Sequence, residues 1–166
     1  MSFSKKLRPW KQVMKISDIS LNDLWDYGAR GLILDIDNTI SPWHKYQLTK
    51  ESEAFVYEAL NKGYTIVLLS NSSHRKTKAL ADSLGVHFIA PAFKPLLYSF
   101  RKAIKRIKQP PEKIVVIGDQ IFTDVWGGNK SGCSTILVKP LTEKELFWTK
   151  IMRYLEKIVL KKKTDR

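Results

Sequence analysis

Cysteine is almost absent from this sequence, and long hydrophobic runs are absent altogether. Cys133 is the only cysteine in 166 residues, so no intrachain disulfide can form, and a reducing compartment is favoured over an extracellular one. No apolar run approaches the roughly 20 residues that a membrane-spanning helix needs. The basic N-terminus also lacks the apolar stretch of a secretory signal. We therefore expect a single cytoplasmic domain, residues 1–166, with a core of its own.

Acidic residues are scarce as well. The chain has 16 Asp and Glu against 29 Lys and Arg, which gives a net charge of +13. Residues 1–15 contain five basic and no acidic residues, residues 94–113 contain seven and one, and residues 139–166 contain nine and four. This clustering favours an anionic partner or surface, although solubility alone is the simpler explanation. We expect the basic segments 1–15 and 142–166 to flank the core.

Short apolar runs alternate with helical patterns along the chain. Strands are predicted over 31–36, 64–69, 86–89, 113–118 and 134–138, and helices over 49–63, 72–85, 95–109 and 141–163. The nearly continuous apolar runs are typical of parallel strands that are covered on both faces. The pattern predicts an α/β fold, a Rossmann-like three-layer sandwich in which helices cover both faces of a parallel sheet.

Polar residues follow four of the predicted strands. In chain order they are Asp35 and Asp37, Ser70 and Asn71, Lys94, and Asp119 and Asp124. Ligands of open α/β sheets bind outside the carboxyl ends of the strands, where all of these residues are expected to lie. A helix cap or a turn explains each of them singly but does not explain why they converge.

The residue types at this edge suit phosphate chemistry. Asp35 and Asp119, from neighbouring strands, offer the hard carboxylate oxygens that Mg²⁺ prefers. A carboxylate also attacks phosphorus to form an aspartyl-phosphate, and Asp37 is placed to protonate the leaving group and then activate water. Lys94 and Ser70 suit the binding of phosphate oxygens.

The ordered set "DIDNT", "LLSN", "KP" and "GDQIFTD" resembles the haloacid dehalogenase (HAD) superfamily of aspartate-nucleophile phosphohydrolases over about residues 29–138. The resemblance implies that Asp35 is the nucleophile and a Mg²⁺ ligand, and that Asp37 is the acid/base whose backbone carbonyl also binds the metal. It implies phosphate binding by Ser70, Asn71 and Lys94. It further implies that Asp119 is the second carboxylate ligand and that Asp124 holds a metal-bound water.

The spacing of these motifs leaves no room for a large cap domain. One helix fills the segment between Asp37 and Ser70, and one helix and one strand fill the segment between Ser70 and Lys94. The site is therefore expected to be open, which suits a large or surface-bound phosphate ester.

A closer resemblance connects "LRPW", "GLILDIDNTI" and "GDQIFTDVWGGN" with the YqeG-like subclass IIIA branch, which is related to phosphatidylglycerophosphate phosphatases. It implies a lipid head-group phosphate as substrate. Aromatic residues among the terminal basic residues favour peripheral contact with an anionic membrane at its inner face, although the C-terminal helix also suits ordinary packing on the sheet. The alternatives are a soluble sugar phosphate, nucleotide or phosphoprotein as substrate, or RNA or the ribosome as partner. The sequence does not indicate an oligomeric state.

Overall fold

One six-stranded parallel sheet forms the centre of the protein. The computed structural model describes residues 6–43 and 45–142. The strands are Lys11–Val13 (β1), Gly31–Leu34 (β2), Thr65–Leu69 (β3), His87–Ile89 (β4), Ile114–Gly118 (β5) and Ser134–Val138 (β6). Their order across the sheet is β1-β6-β5-β2-β3-β4, and every neighbouring pair is parallel.

Helices cover both faces of this sheet. They are Leu21–Asp26 (α1), Lys50–Asn61 (α2), His74–Leu84 (α3), Leu97–Ile107 (α4) and Trp126–Lys130 (α5). Side chains of α1, α2 and α3 pack with one set of strand residues, including Leu32 and Leu34. Side chains of α4 pack with the alternate set, including Ile33 and Val67. The predicted three-layer α/β class is confirmed.

Local signals explain some of the helix ends. The Thr49 side chain accepts a hydrogen bond from Ser52 N at the start of α2, and Gly85 ends α3 in the left-handed region at φ 66°. Helix α4 begins at Leu97, after the predicted Pro95, and ends at Ile107. The sequence pattern therefore predicted this helix two residues too long at each end.

Two N-terminal elements escaped prediction. Strand β1 pairs with β6 at the sheet edge, and α1 follows it; both are too short to show a clear hydrophobic period. The side-chain amide of Asn129 donates to the backbone carbonyls of Lys6 and Arg8 and so joins the N-terminal segment to the core. Part of the basic segment 1–15 is thus an edge strand of the sheet.

The predicted helix over 141–163 lies almost wholly outside the described residues. At Thr142, the last described residue, the side chain donates to Asn38 Oδ1 at 2.5 Å. None of the helices in the described part is long and apolar enough to cross a membrane.

Strand β2 is the point at which the chain changes direction across the sheet. The chain proceeds from β2 to β3 and β4 on one side, and β5, β6 and β1 lie on the other. In such a sheet, a crevice opens at the carboxyl ends of the two strands that flank the switch, here β2 and β5. The described residues between β2 and β3 form only α2 and its loops, and those between β3 and β4 form α3. The expected absence of a large cap is confirmed for this part of the chain.

Candidate active site

Three buried carboxylates meet at the crevice between β2 and β5. Asp35 directly follows β2, Asp119 directly follows β5, and Asp124 lies in a π-helical turn, Ile121–Val125. One carboxylate oxygen from each lies within 4.8 Å of the others. Parallel pairing of β2 with β5 aligns the two strand ends and so brings Asp35 and Asp119 together. Of the predicted metal ligands, the carboxylate of Asp37 is outside this cluster.

Lys94 is the counterion of this cluster. Its Nζ lies 2.5 Å from Asp35 Oδ1 and 2.6 Å from Asp124 Oδ1, and all three side chains are at most 6% exposed. Burial alone would lower the pKa of Lys94, but the carboxylates of Asp124 and Asp35 raise it above its usual value, so the ammonium is charged. This ion pair crosses from the loop after β4 to the central crevice.

The carboxylates carry more negative charge than Lys94 balances. Burial raises the pKa of Asp35 to about 6, against the opposing effect of Lys94. Burial, together with repulsion from Asp35 and Asp124, raises the pKa of Asp119 to about 9. A further cation would favour the ionised forms of Asp35 and Asp119, and the hard oxygen atoms of the three side chains suit Mg²⁺. The donor set therefore fits a divalent metal ion.

Asn71 holds the backbone of Lys94 in place. Lys94 N donates to Asn71 Oδ1 at 2.7 Å, and Asn71 Nδ2 donates to Lys94 O at 3.3 Å. Ser70, by contrast, is fully buried, and its hydroxyl accepts a hydrogen bond from Ser72 N at 3.0 Å. Asn71 and Ser72, rather than Ser70, line the cleft.

Asp37 lines the same cleft, at 9% exposure. The Ser72 hydroxyl donates to Asp37 Oδ2, and the Tyr46 hydroxyl is hydrogen-bonded to Ser72. Burial raises the pKa of Tyr46, so this tyrosine is neutral. The contacts orient the carboxyl group that the sequence assigned to acid/base chemistry.

Sequence reasoning assigned no role to several residues that the structure brings to the site. Ser72 directly follows the "LLSN" motif but also suits a helix cap, so it received no role in the site, and Tyr46 showed no signal at all. Thr39 is part of the "DIDNT" motif, and its hydroxyl donates to Asp35 Oδ2 at 3.1 Å and lies 3.5 Å from Asp119 Oδ1. Its place in the motif was the one available signal.

The cleft has a volume of about 260 Å³ and is lined by Asp35, Asp37, Trp43, Asn71, Ser72, Lys94, Gln120 and Thr123. Six of the seven predicted site residues thus either line this cleft or, like Asp119 and Asp124, join its acidic cluster; the exception is Ser70. Seven of its eight lining residues have polar or charged side chains, which suits the binding of a charged group.

Gly118 allows the carboxylate of Asp124 to approach the end of β5. A Cβ atom at this position would lie 2.3 Å from Asp124 Cγ, a distance that no side chain tolerates. Asp124 Oδ2 also accepts a hydrogen bond from Gln120 N at 3.2 Å. In the "GD" of the fourth motif, Gly118 is therefore required for steric reasons, and Asp119 supplies a carboxylate to the acidic cluster.

Comparison with known proteins identifies the class that this fold and site define. A family model described as haloacid dehalogenase-like hydrolase matches residues 26–132. The chain therefore belongs to the haloacid dehalogenase-like hydrolases, and it is a phosphatase-type enzyme of that family.

The chain is similar over most of its length to the Probable phosphatase YqeG of Bacillus subtilis, with 34% identity over 92% of this chain and 88% of that protein. It is 27% identical to the Phosphatidylglycerophosphate phosphatase 1, chloroplastic/mitochondrial, of Arabidopsis thaliana, over 81% of this chain but 42% of that protein.

A solved structure agrees on the fold. The deoxy-D-mannose-octulosonate 8-phosphate phosphatase of Haemophilus influenzae matches 68% of this chain and 69% of its own, with a TM-score of 0.56 and 13% identity.

Proposed function

We propose that this protein is a Mg²⁺-dependent phosphomonoester hydrolase that works through an aspartyl-phosphate on Asp35. The observation that carries the proposal is the meeting of Asp35, Asp119 and Asp124 with Lys94 in one cleft. A cleft with these groups has a nucleophile, a metal-binding donor set and a buried cation for phosphate, which are the parts that the reaction needs.

In the first step, a carboxylate oxygen of Asp35 attacks the phosphorus atom and the bond from phosphorus to the ester oxygen breaks. Asp37, oriented by Ser72, gives its proton to the leaving oxygen. In the second step, Asp37 takes a proton from water as the water oxygen attacks phosphorus. The bond to Asp35 then breaks, and inorganic phosphate and the free carboxylate are released.

Lys94 binds the phosphate in this mechanism, and Asn71 positions Lys94. Lys94 Nζ, at 2.5 Å from Asp35, is in reach of any phosphate that reacts with Asp35, and it offsets the negative charge that gathers in the transition state. Asn71 keeps this lysine in position. Ser70, Asn71 and Lys94 are the proposed phosphate-binding residues; Asn71 and Lys94 line the cleft, whereas Ser70 is buried and its hydroxyl accepts a hydrogen bond from Ser72 N.

Asp35, Asp119 and Asp124 would hold the metal ion, together with the backbone carbonyl of Asp37. When bound, Mg²⁺ would offset the repulsion between the carboxylate and the anionic phosphate. The fit rests on the oxygen donors and on the raised pKa values of Asp35 and Asp119.

We further propose that the substrate is a lipid head-group phosphate such as phosphatidylglycerophosphate, reached from the cytoplasmic side of the membrane. The support is the similarity to a phosphatase that is named for this lipid, together with a cleft that is open to large esters. The test is turnover of phosphatidylglycerophosphate against sugar phosphates, nucleotides and a phosphopeptide, with Mg²⁺ present. The lipid should be the best substrate; equal turnover of a soluble ester would remove the lipid assignment.

The chemistry has its own test. Asp35→Asn should lower kcat on every substrate by at least about 1,000-fold, because an amide is not a nucleophile towards phosphorus. EDTA should abolish activity, and added Mg²⁺ should restore it. Asp82→Asn, at an exposed surface acid, is the matched control and should keep full activity. Turnover by Asp35→Asn at the wild-type rate would refute the mechanism.

A further inference from the structure

Three apolar side chains project from the segment that carries Lys94. Phe93 is 65% exposed, Leu96 is 60% exposed and Tyr98 is 71% exposed. They lie within six consecutive residues, between the end of β4 and the first turn of α4. Isolated apolar side chains are common on protein surfaces, but a cluster usually marks a contact site.

The backbone of Phe93 makes this cluster more unusual. Phe93 has φ 50°, in the left-handed region that asparagine and glycine adopt most easily. A phenylalanine here has neither a favourable backbone nor a buried side chain. Neither the backbone conformation nor burial of the side chain therefore gives a stability reason for a phenylalanine at this position.

The exposed face of α4 continues the cluster as a basic stripe. Its exposed residues after Tyr98 recur at helical spacing and are all cationic: Arg101, Lys102, Lys105 and Arg106, followed by Lys108 just beyond the helix. The opposite face, with Phe100 and Ala103, is buried against the sheet. Helix α4 contains no acidic residue, so the stripe has no counterion of its own.

The apolar cluster and the basic stripe form one continuous surface. Phe93, Leu96 and Tyr98 line a cavity of about 280 Å³ together with Lys102 and Arg106. Tyr98, Lys102 and Arg106 also line a neighbouring cavity of about 730 Å³, whose other residues include Arg101, Lys105 and Lys108. Among the residues that the structure describes, none that lines either cavity is acidic.

We propose that this surface docks the protein on an anionic lipid bilayer. Phe93, Leu96 and Tyr98 enter the interfacial region, and the cations of α4 contact the anionic head groups. A bilayer explains both halves of the surface, because it presents apolar and anionic zones side by side. Single-stranded nucleic acid is a poorer fit, since it would need stacking rings spaced along a groove, whereas Leu96 is aliphatic and the apolar residues lie together at one end.

Docking through this surface would serve catalysis, because the loop that carries Phe93 also carries Lys94 of the active-site cleft. Phe93 immediately precedes Lys94, whose Nζ contacts the nucleophile Asp35. A bilayer in contact with Phe93 and Leu96 thus lies beside the loop that supplies the phosphate-binding cation. This consequence rests on the proposed function, whereas membrane binding itself does not depend on it.

The test is co-sedimentation of the full chain with vesicles of phosphatidylglycerol and phosphatidylcholine, against vesicles of phosphatidylcholine alone. The protein should partition to the anionic vesicles, and added salt should weaken the binding. Phe93→Asn combined with Leu96→Ser and Tyr98→Ser should lower the partition coefficient by about tenfold or more. Lys102→Glu combined with Lys105→Glu should lower it by at least as much.

Matched controls lie on the other face of the sheet. Tyr57→Ser combined with Lys50→Glu removes an exposed aromatic ring and a surface charge from α2 and should leave vesicle binding unchanged. Thermal melting shows whether each variant is folded, and the α4 charge variant changes only exposed side chains. Unchanged vesicle binding by both folded variants, the apolar triple variant and the α4 charge variant, would overturn the proposal. Variants that lose binding to a single-stranded RNA oligonucleotide but keep vesicle binding would overturn it too.

The experiment also separates this proposal from the proposed function. Asp35→Asn should bind anionic vesicles as the wild type does, since it retains the whole surface. If the wild type hydrolyses a soluble ester but does not bind vesicles, the docking surface is wrong and the phosphatase assignment stands. If it binds vesicles through α4 but hydrolyses no ester, the docking surface stands and the enzyme assignment fails.

Discussion

At the scale of single residues, Lys94 is a cation that the fold has removed from water. A buried ion pair regains the cost of desolvation only where its geometry and hydrogen bonds are good. Here the ammonium meets two carboxylates at 2.5 and 2.6 Å, and Asn71 secures the backbone on which it is carried. We interpret this expensive arrangement as a site held ready for an anionic substrate.

Asn71→Ala is therefore expected to impair substrate binding more than folding. Loss of two hydrogen bonds, each of about 1 kcal/mol, should free the Lys94 loop and lower kcat/KM by about tenfold or more, mainly through KM. Steady-state kinetics would measure this split. Asn61→Ala, at an exposed position of α2, is the control. An unchanged KM for Asn71→Ala would show that the amide does not position Lys94.

At the same scale, the motif residues were predictable because they follow strands, and their strands are easy to recognise. Asp35 and Asp119 were expected to come from neighbouring strands, and β2 and β5 are neighbours. Ser72 and Tyr46 were not predictable as partners of Asp37, because their contacts join separate loops. Whether each predicted residue has its assigned catalytic role stays a prediction.

At the scale of elements, the turn after β5 depends on close approach between a strand end and a helix. The π-helical turn Ile121–Val125 turns Asp124 back over Gly118, and such turns often occur at functional sites. Gly118 and Asp124 both belong to a sequence motif, but the sequence does not show that the missing side chain of Gly118 leaves space for the carboxylate of Asp124.

Gly118→Ala is expected to displace Asp124 and so weaken both the ion pair with Lys94 and the metal site. The clash should lower the free energy of unfolding by about 1–3 kcal/mol and lower the apparent affinity for Mg²⁺. Gly127→Ala is a useful comparison, because its Cβ would lie 2.3 Å from the ring of Phe100, away from the acidic cluster. Thermal melting would compare the stability of the two variants, and Mg²⁺ titration of activity would compare their apparent affinities for the metal ion. Equal Mg²⁺ requirements in both variants would contradict this role for Gly118.

At the scale of the whole molecule, the acidic cluster lies at the centre of the sheet, so metal binding should stabilise the folded domain that the sheet forms. An ion that binds only the folded state adds about 2.7 kcal/mol at 100 times its dissociation constant. For a chain of this size, that corresponds to a rise in Tm of about 5–10 °C. Melting in EDTA and in saturating Mg²⁺ would measure the shift.

Asp119→Asn is the control for this prediction, because it removes one carboxylate of the cluster. The rise in Tm on adding Mg²⁺ should largely disappear in this variant. A wild-type Tm that does not respond to saturating Mg²⁺ would argue against a metal site at these residues.

Local pattern was enough for the class of fold, for the main strands as they follow one another along the chain, and for the motif residues at their ends. Apolar runs, helix caps and turn residues act between near neighbours in the chain, so a sequence displays them directly. Strand β1, the pairing of Lys94 with both Asp35 and Asp124, and the joining of Phe93, Leu96 and Tyr98 to the α4 stripe depended on the tertiary fold. Each of these arises from the packing of distant segments, where burial and strand order, rather than local propensity, determine which groups meet.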